Sequence, residues 1–196
     1  KLMATARNQP FEALQYLDGC TARDMWRAPK NRSEHIEHCY FYLDKSYIAK
    51  QYTEDFVLTK IALEKAYDIF HRDLGAEYVR IAEYMYFQLA NAYIRLREYK
   101  SATRIFEEAL AYSIKHNAPA VAKYNDYAGL YVAQENYPKA KQILLDGIAR
   151  KGVPETDLLF TKVGLVECLA QMKDFDGALK INRELEATLK KPLKTE

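Results

Sequence analysis

The sequence predicts an all-α protein, an α-α superhelix of about four antiparallel helix pairs preceded by one N-terminal helix. Every sustained apolar pattern has helical spacing, and none has the period-two alternation of a strand. Four residue registers also repeat every 38 residues, as expected for an array of similar helix pairs. These registers are Tyr93, Tyr131 and Leu169; Tyr99, Tyr137 and Phe175; Ala102, Ala140 and Ala178; and Ile105, Ile143 and Ile181.

The composition limits the classes of function. The chain has 196 residues, 49% hydrophobic and 29% charged, which is enough to bury a sizeable core in one elongated domain. The net charge is only +2, so we expect no nucleic-acid binding by this domain through a global field. No stretch reaches the roughly 18 apolar residues that span a bilayer, so we expect no membrane insertion. Lys1 is not an initiator methionine, and we expect a processed protein or part of a longer one, located in the cytoplasm.

Three cysteines, Cys20, Cys39 and Cys168, have neither the spacing of a zinc motif nor an even number for disulfides. We predict free thiols in the core of a protein from a reducing compartment. The alternative is a metal site built on His35, His38 and Cys39. Adjacent helix residues such as His38 and Cys39 point to different faces, so we predict no metal site and no cofactor.

Residues 1–32 are predicted to form a single helix followed by an irregular packing segment. Phe11, Leu14 and Leu17 have helical spacing, and Gly19 is a plausible C-cap. Pro29 disfavours helix in the segment that follows. Trp26, the only tryptophan, is expected to pack back onto the array, with an exposed ligand anchor as the alternative.

The array itself is predicted at 33–196, with helix pairs at about 33–74, 76–117, 119–151 and 155–190. In the first pair, Ser33 is expected to begin the first helix, and Thr53 to begin the second. Tyr40, Leu43 and Tyr47 are expected to form the apolar face of that first helix. Tyr47 and Tyr93 are 46 residues apart rather than 38, which implies a longer first pair.

The helix pairs share a pattern of an aromatic residue, leucine, a small residue and an aromatic residue, followed by alanine, an aromatic residue and alanine. It is carried by Tyr86, Leu89, Ala90, Tyr93, Ala102, Phe106 and Ala109, then by Tyr124, Tyr127, Ala128, Tyr131, Ala140, Leu144 and Gly147, and less fully by Leu165, Leu169, Ala178 and Leu185. This pattern resembles the tetratricopeptide repeat (TPR) family, in a variant with a period longer than the usual ~34 residues. The resemblance implies a TPR-like solenoid.

The resemblance also implies a binding groove lined by the first helix of each pair. By position, the groove residues are Phe41, Lys45, Tyr84, Phe87, Asn91, Ile94, Arg95, Asn125, Val132, Phe160, Glu167 and Gln171. Aromatic, amide and charged groups of this kind suit an extended peptide or a docked helix. Phe87 stands where the chaperone-docking members of the family have a lysine, which argues against that subclass.

We therefore predict a non-catalytic scaffold with a protein or peptide partner. No phosphate loop, metalloprotease motif or nucleophile motif is present in the sequence. The alternative is a sensor or regulatory domain of a larger signalling protein, such as a bacterial transcription regulator or a sensor kinase. Self-association is also possible, because the final helix lacks an obvious polar cap.

Overall fold

The computed structural model describes residues 6–22, 28–74, 78–119 and 123–189. These residues form two compact units, one ending at Ile105 and the other beginning at Phe106, with the boundary inside a helix. Trp26, whose packing was predicted above, lies outside the described residues.

All secondary-structure elements of the described residues are helical, which confirms the all-α prediction. A π-helical turn at Phe70–Leu74 extends the third helix. The helices are α1 Pro10–Ala22, α2 Arg32–Thr53, α3 Phe56–Ile69, α4 Val79–Arg95, α5 Tyr99–Lys115, α6 Tyr124–Val132, α7 Tyr137–Ala149, α8 Glu155–Gln171 and α9 Phe175–Leu189.

Helix caps define where the first pair begins and turns. The Asn31 side chain accepts the Glu34 N–H at 3.0 Å, so Asn31 is the N-cap of α2 and Ser33 lies inside the helix. Asp55 in turn accepts the Leu58 N–H at 2.8 Å and caps α3. The predicted starts at Ser33 and Thr53 were therefore wrong by two residues each, because a neighbouring Asn or Asp occupies the capping position.

The first unit packs α1 against α2, α2 against α3, and α3 against α4. The core residues predicted on α4, namely Tyr86, Leu89, Ala90 and Tyr93, are all buried. The Tyr93 hydroxyl donates a hydrogen bond to Glu64 Oε1 of α3 at 2.7 Å. Burial, together with this bond to a carboxylate, raises the pKa of Tyr93. The helix contacts expected from the repeat are therefore present in this unit.

Three turns between paired helices have the same geometry. Arg97, Glu135 and Lys173, spaced 38 residues apart, adopt left-handed φ angles of 60°, 58° and 63°. In the first of these turns, the Glu98 N–H donates to the Tyr93 carbonyl at 2.8 Å, and the other two repeat this bond. This is the Schellman arrangement, which satisfies the free carbonyls at a helix C-terminus.

The first pair has a related turn with one more residue. Ala49 is the position equivalent to Tyr93, because its carbonyl accepts the N–H groups that close the turn. Ala49 and Tyr93 are 44 residues apart, so the register of α2 differs by two residues from the spacing of 46 used above. Tyr40 and Tyr47 are 50% and 39% exposed, and their prediction as core residues was wrong.

The second unit packs α6 against α7 and α8, α7 against α8, and α8 against α9. Phe106 stacks on Tyr127 with ring centroids 5.0 Å apart and an interplanar angle of 20°. Burial raises the pKa of Tyr127, and contact with Tyr131 raises it further. Phe175, which continues the register of Tyr99 and Tyr137, is 61% exposed at the first position of α9.

Candidate functional site

Two of the clefts on the surface of the first unit include residues of both α2 and α4. The aromatic cleft has a volume of about 490 Å³, and its lining is dominated by tyrosines. Its residues are Tyr40, Leu43, Asp44, Tyr47 and Tyr52 from α2, and Arg80, Ile81 and Tyr84 from α4. The polar cleft has a volume of about 340 Å³ and is lined by Lys50, Phe56, Thr59, Phe87, Gln88, Asn91, Ala92 and Arg95.

The tyrosines of the aromatic cleft expose ring surface to solvent, and some of them are also held by contacts with neighbouring side chains. The rings of Tyr47 and Tyr52 contact edge to face, with centroids 6.0 Å apart and an angle of 81°. Tyr84 is half-buried, and burial raises the pKa of its hydroxyl, with smaller contributions from Tyr47 and Asp44. The cleft therefore presents phenol rings, whose faces and hydroxyls can contact a ligand.

Asp44 is the acidic group of this cleft. It is half-buried, and loss of water around its carboxylate raises its pKa. Among the residues that the structure describes, none forms a hydrogen bond or an ion pair with it. Arg80, the basic residue of the same cleft, is exposed.

The polar cleft is more extensively hydrogen-bonded. Lys50 Nζ donates to Gln88 Oε1 at 2.8 Å, which connects α2 to α4. The Arg95 guanidinium lies 4.9 Å from the centroid of the Phe56 ring, a cation–π contact. Asn91 Nδ2 donates to the Phe87 carbonyl of its own helix at 2.9 Å, which leaves its carboxamide oxygen available to accept a bond.

Most of the predicted groove residues of α4 lie in these clefts. Tyr84 lines the aromatic cleft, and Phe87, Asn91 and Arg95 line the polar cleft. Ile94 is half-buried and belongs to neither lining.

Phe41 and Lys45 lie elsewhere. Phe41 packs against the apolar cluster that α1 and α2 share, and Lys45 Nζ forms an ion pair with Asp18 of α1. The side of α2 that carries both residues faces the N-terminal helix, so the structure does not bring them to the clefts.

The five groove residues predicted in the second unit are divided by exposure. Phe160, Glu167 and Gln171 lie on exposed positions of α8, whereas Val132 is half-buried at the end of α6. The Asn125 carboxamide packs against Gly164 of α8, in the space that a Cβ atom would need. Asn125 therefore contributes to helix packing, and the role of all five residues in binding stays a prediction.

Sequence reasoning missed several residues of the clefts, and for those on α2 the reason is the register of that helix. With the spacing of 44, Tyr40 corresponds to Tyr84, Asp44 to Gln88, and Tyr47 to Asn91. The signal was a small residue: Ser46 is 1% exposed and occupies the place of the small core residue Ala90. Aligning Ser46 with Ala90, rather than one tyrosine with another, would have identified the face of α2 that lines the clefts. Those missed are Tyr40, Leu43, Asp44, Tyr47, Lys50, Tyr52, Phe56, Thr59, Arg80, Ile81, Gln88 and Ala92.

The residues of the alternative metal site have separate partners. His35 Nδ1 lies 2.9 Å from Asp73 Oδ2, and Cys39 Sγ is 3.7 Å from the Ala66 carbonyl oxygen, to which it donates. Burial raises the pKa of Cys39 to about 12, so the residue is a protonated thiol at neutral pH. Within the described ranges, no three His, Cys, Asp or Glu side chains are grouped to hold a metal ion.

No helix in the described part of the chain has the length and apolar character needed to cross a membrane.

Solved structures provide the comparison that decides the fold. The apo form of RapI superposes with a TM-score of 0.73 at 19% identity, over 94% of this chain and 66% of that one. A kinesin light chain with nearly identical TPR-like repeats, from Podosopora anserina, superposes with a TM-score of 0.70 at 17% identity, over 99% of this chain and 94% of that one. The fold is TPR-like. A point variant of the same repeats gives a TM-score of 0.67 at 17% identity, over 95% and 90% of the two chains.

These similarities confirm the TPR-like fold predicted from the repeat, and at such low identity they extend to the fold alone. The chain spans about two thirds of the RapI chain. No protein-family model matches the sequence, and no curated protein matches it.

Proposed function

We propose that this TPR-like chain is a non-catalytic peptide-binding module, which holds an extended peptide or a docked helix against the two clefts of its first unit. One observation carries the proposal. The aromatic cleft is lined by four tyrosines of α2 and α4, the first helices of their pairs, and two of them are exposed where a purely structural role would bury them. Rigid aromatic side chains in a concave site are typical anchors for peptide and protein ligands.

The chemistry of the clefts supports recognition rather than reaction. The lining residues supply ring faces, carboxamides, a carboxylate and basic groups, and among them none forms a nucleophile with an adjacent base. The same surface would serve a scaffold or a regulatory domain of a longer protein, because both functions begin with capture of a ligand. The experiment below addresses that shared step.

The test is selection of peptides from a random phage-displayed library on the immobilised chain, followed by fluorescence anisotropy with the selected peptide in solution. Tyr47→Ala should weaken binding by about tenfold or more, because it removes an anchor ring from the cleft. Tyr16→Ala is the matched control, since Tyr16 is 64% exposed on α1 and lines neither cleft. Its affinity should stay within about twofold of the unmodified chain.

The proposal fails if no peptide is enriched, or if both variants bind the selected peptide as the unmodified chain does. Equal losses in the two variants would also contradict it, since they would indicate non-specific adhesion to exposed tyrosine. Thermal unfolding of each variant confirms that changes in affinity occur in a folded protein.

A further inference from the structure

We propose that the aromatic cleft binds the cationic side chain of a lysine or arginine in the bound peptide. The inference rests on the proposed function, and it specifies one residue class that the peptide must present. It follows from the position of a single carboxylate, Asp44, among the rings of Tyr40, Tyr47, Tyr52 and Tyr84.

The Asp44 carboxylate provides the negative charge of the aromatic cleft. Asp44 is half-buried, and no residue in the described ranges forms a hydrogen bond or an ion pair with it. A partly desolvated charge without a partner is unfavourable, and a ligand cation removes that penalty when it binds. An acidic side chain would meet like charge here, and an apolar one would bury the carboxylate further without pairing it.

The tyrosine rings provide a second source of attraction for a cation. Tyrosine faces carry negative potential and attract an ammonium or guanidinium group within about 6 Å of the ring centroid. Burial raises the pKa of Tyr84, which keeps that ring in its uncharged phenol form. The cleft therefore offers a cation both ring faces and a formal negative charge.

Arg80 is the basic residue in the lining of the aromatic cleft, and its exposure limits how strongly it repels a bound cation. Because its side chain is exposed, water screens its charge more than that of half-buried Asp44. Two other basic residues, Lys50 and Arg95, line the polar cleft, whose lining includes no carboxylate in the described part of the chain. The described lining of the aromatic cleft has one carboxylate and one exposed arginine, so a peptide with its basic side chain in the aromatic cleft avoids Lys50 and Arg95.

The size of the cleft is compatible with one side chain. About 490 Å³ lies within the roughly 300–1,000 Å³ of ordinary small-ligand sites. A lysine or arginine has a long apolar stem, which can cover the side chains of Leu43 and Ile81 while its charged end reaches Asp44.

The test uses N-acetyl-lysine methylamide as the probe and N-acetyl-norleucine methylamide as its neutral counterpart with the same stem. Each is titrated into the whole chain, and binding is followed by NMR resonances of the cleft tyrosines. We expect the lysine compound to bind about tenfold more tightly, and added salt to weaken it. Asp44→Asn should reduce its affinity to that of the norleucine compound. Asp68→Asn, the same charge change at an exposed site outside the cleft, should have no effect.

Equal affinities for the two compounds, or a preference for lysine that survives Asp44→Asn, would overturn the inference. Tyr40→Ala is a second variant that spares the core, because Tyr40 is 50% exposed, and it should also reduce lysine affinity. The proposed function is distinguishable from this inference. Selected peptides that need Tyr47 but contain no basic residue would refute the cation site and still support peptide binding. A preference for the lysine compound, with no peptide selected from the library, would support the cation site and refute peptide binding.

Discussion

Two helical glycines of the second unit are expected to respond in opposite directions to alanine. A Cβ atom at Gly147 of α7 would lie 2.6 Å from Tyr124 Cγ and 2.7 Å from Tyr124 Cβ, well inside van der Waals contact. A Cβ atom at Gly129 of α6 would meet nothing within 4 Å. The two substitutions are chemically identical, so the difference between them isolates the packing of α7 against α6.

The magnitude follows from two opposing terms. Replacing a helical glycine by alanine gains about 1 kcal/mol in backbone propensity at either site. At Gly147 the clash involves atoms close to the Tyr124 backbone, and the Tyr124 ring is itself buried, with its hydroxyl 3.1 Å from Arg150 Nη1. Relief requires α6 to move, and overpacking of this kind costs about 1–3 kcal/mol. We expect Gly147→Ala to lose up to about 2 kcal/mol and Gly129→Ala to gain about 0.5–1 kcal/mol.

Urea unfolding followed by far-ultraviolet circular dichroism measures both values, provided that the slope with urea is unchanged. The reasoning is refuted if Gly147→Ala is as stable as Gly129→Ala, because Tyr124 would then not constrain α7. A double-mutant cycle sharpens the result. With Tyr124→Gly in the background, neither the Cβ nor the Cγ atom remains beside Gly147, and the penalty of Gly147→Ala should disappear.

Three further substitutions test a turn and the aromatic cleft. Glu135 has a left-handed φ of 58°, which costs a residue with a Cβ atom about 1–2 kcal/mol, so Glu135→Gly should raise stability by about 0.5–1 kcal/mol. Ala133→Gly in the same turn, at a φ of −63°, should lower stability instead, and a loss at both sites would contradict the turn geometry. Burial raises the pKa of Asp44, so its contribution to stability is greatest below its unfolded pKa and falls as pH rises through the folded value. Asp44→Asn should therefore raise Tm at about pH 7, with a difference that shrinks toward about pH 4; a difference that grows on acidification would contradict this sign.

The fold was predictable because the repeat fixes its small residues. Ala102, Ala140 and Ala178 are all buried, as close helix packing requires, and the residue types around them follow the same period. The shared turn was not predictable in the same way. Its left-handed positions carry Arg97, Glu135 and Lys173, whereas the usual signal for such a turn is glycine.

The candidate site was harder to predict because tyrosine has two roles in this chain. Its ring packs in the core at Tyr86 and Tyr93, and the same residue type lines a cleft at Tyr40 and Tyr47. An amphipathic side chain satisfies either environment, so a match between tyrosines does not establish register. Ser46 is more informative, because a small residue is required where two helices approach closely, and its burial fixes which face of α2 is turned outward.

Asp44 is a half-buried carboxylate in an aromatic cleft, a placement that is unfavourable for the folded chain and favourable for a cationic ligand. Sequence, packing and electrostatics agree along most of the array, and a residue that lowers native stability without a structural partner is expected mainly where function requires it. Asp44→Asn should then increase stability and abolish the preference for a cation in the same variant. Gly147→Ala should do the opposite, with lower stability and unchanged binding, since Gly147 lines neither cleft. If instead the two variants lose binding in proportion to lost stability, the clefts only report the integrity of the fold, and Asp44 has no role of its own.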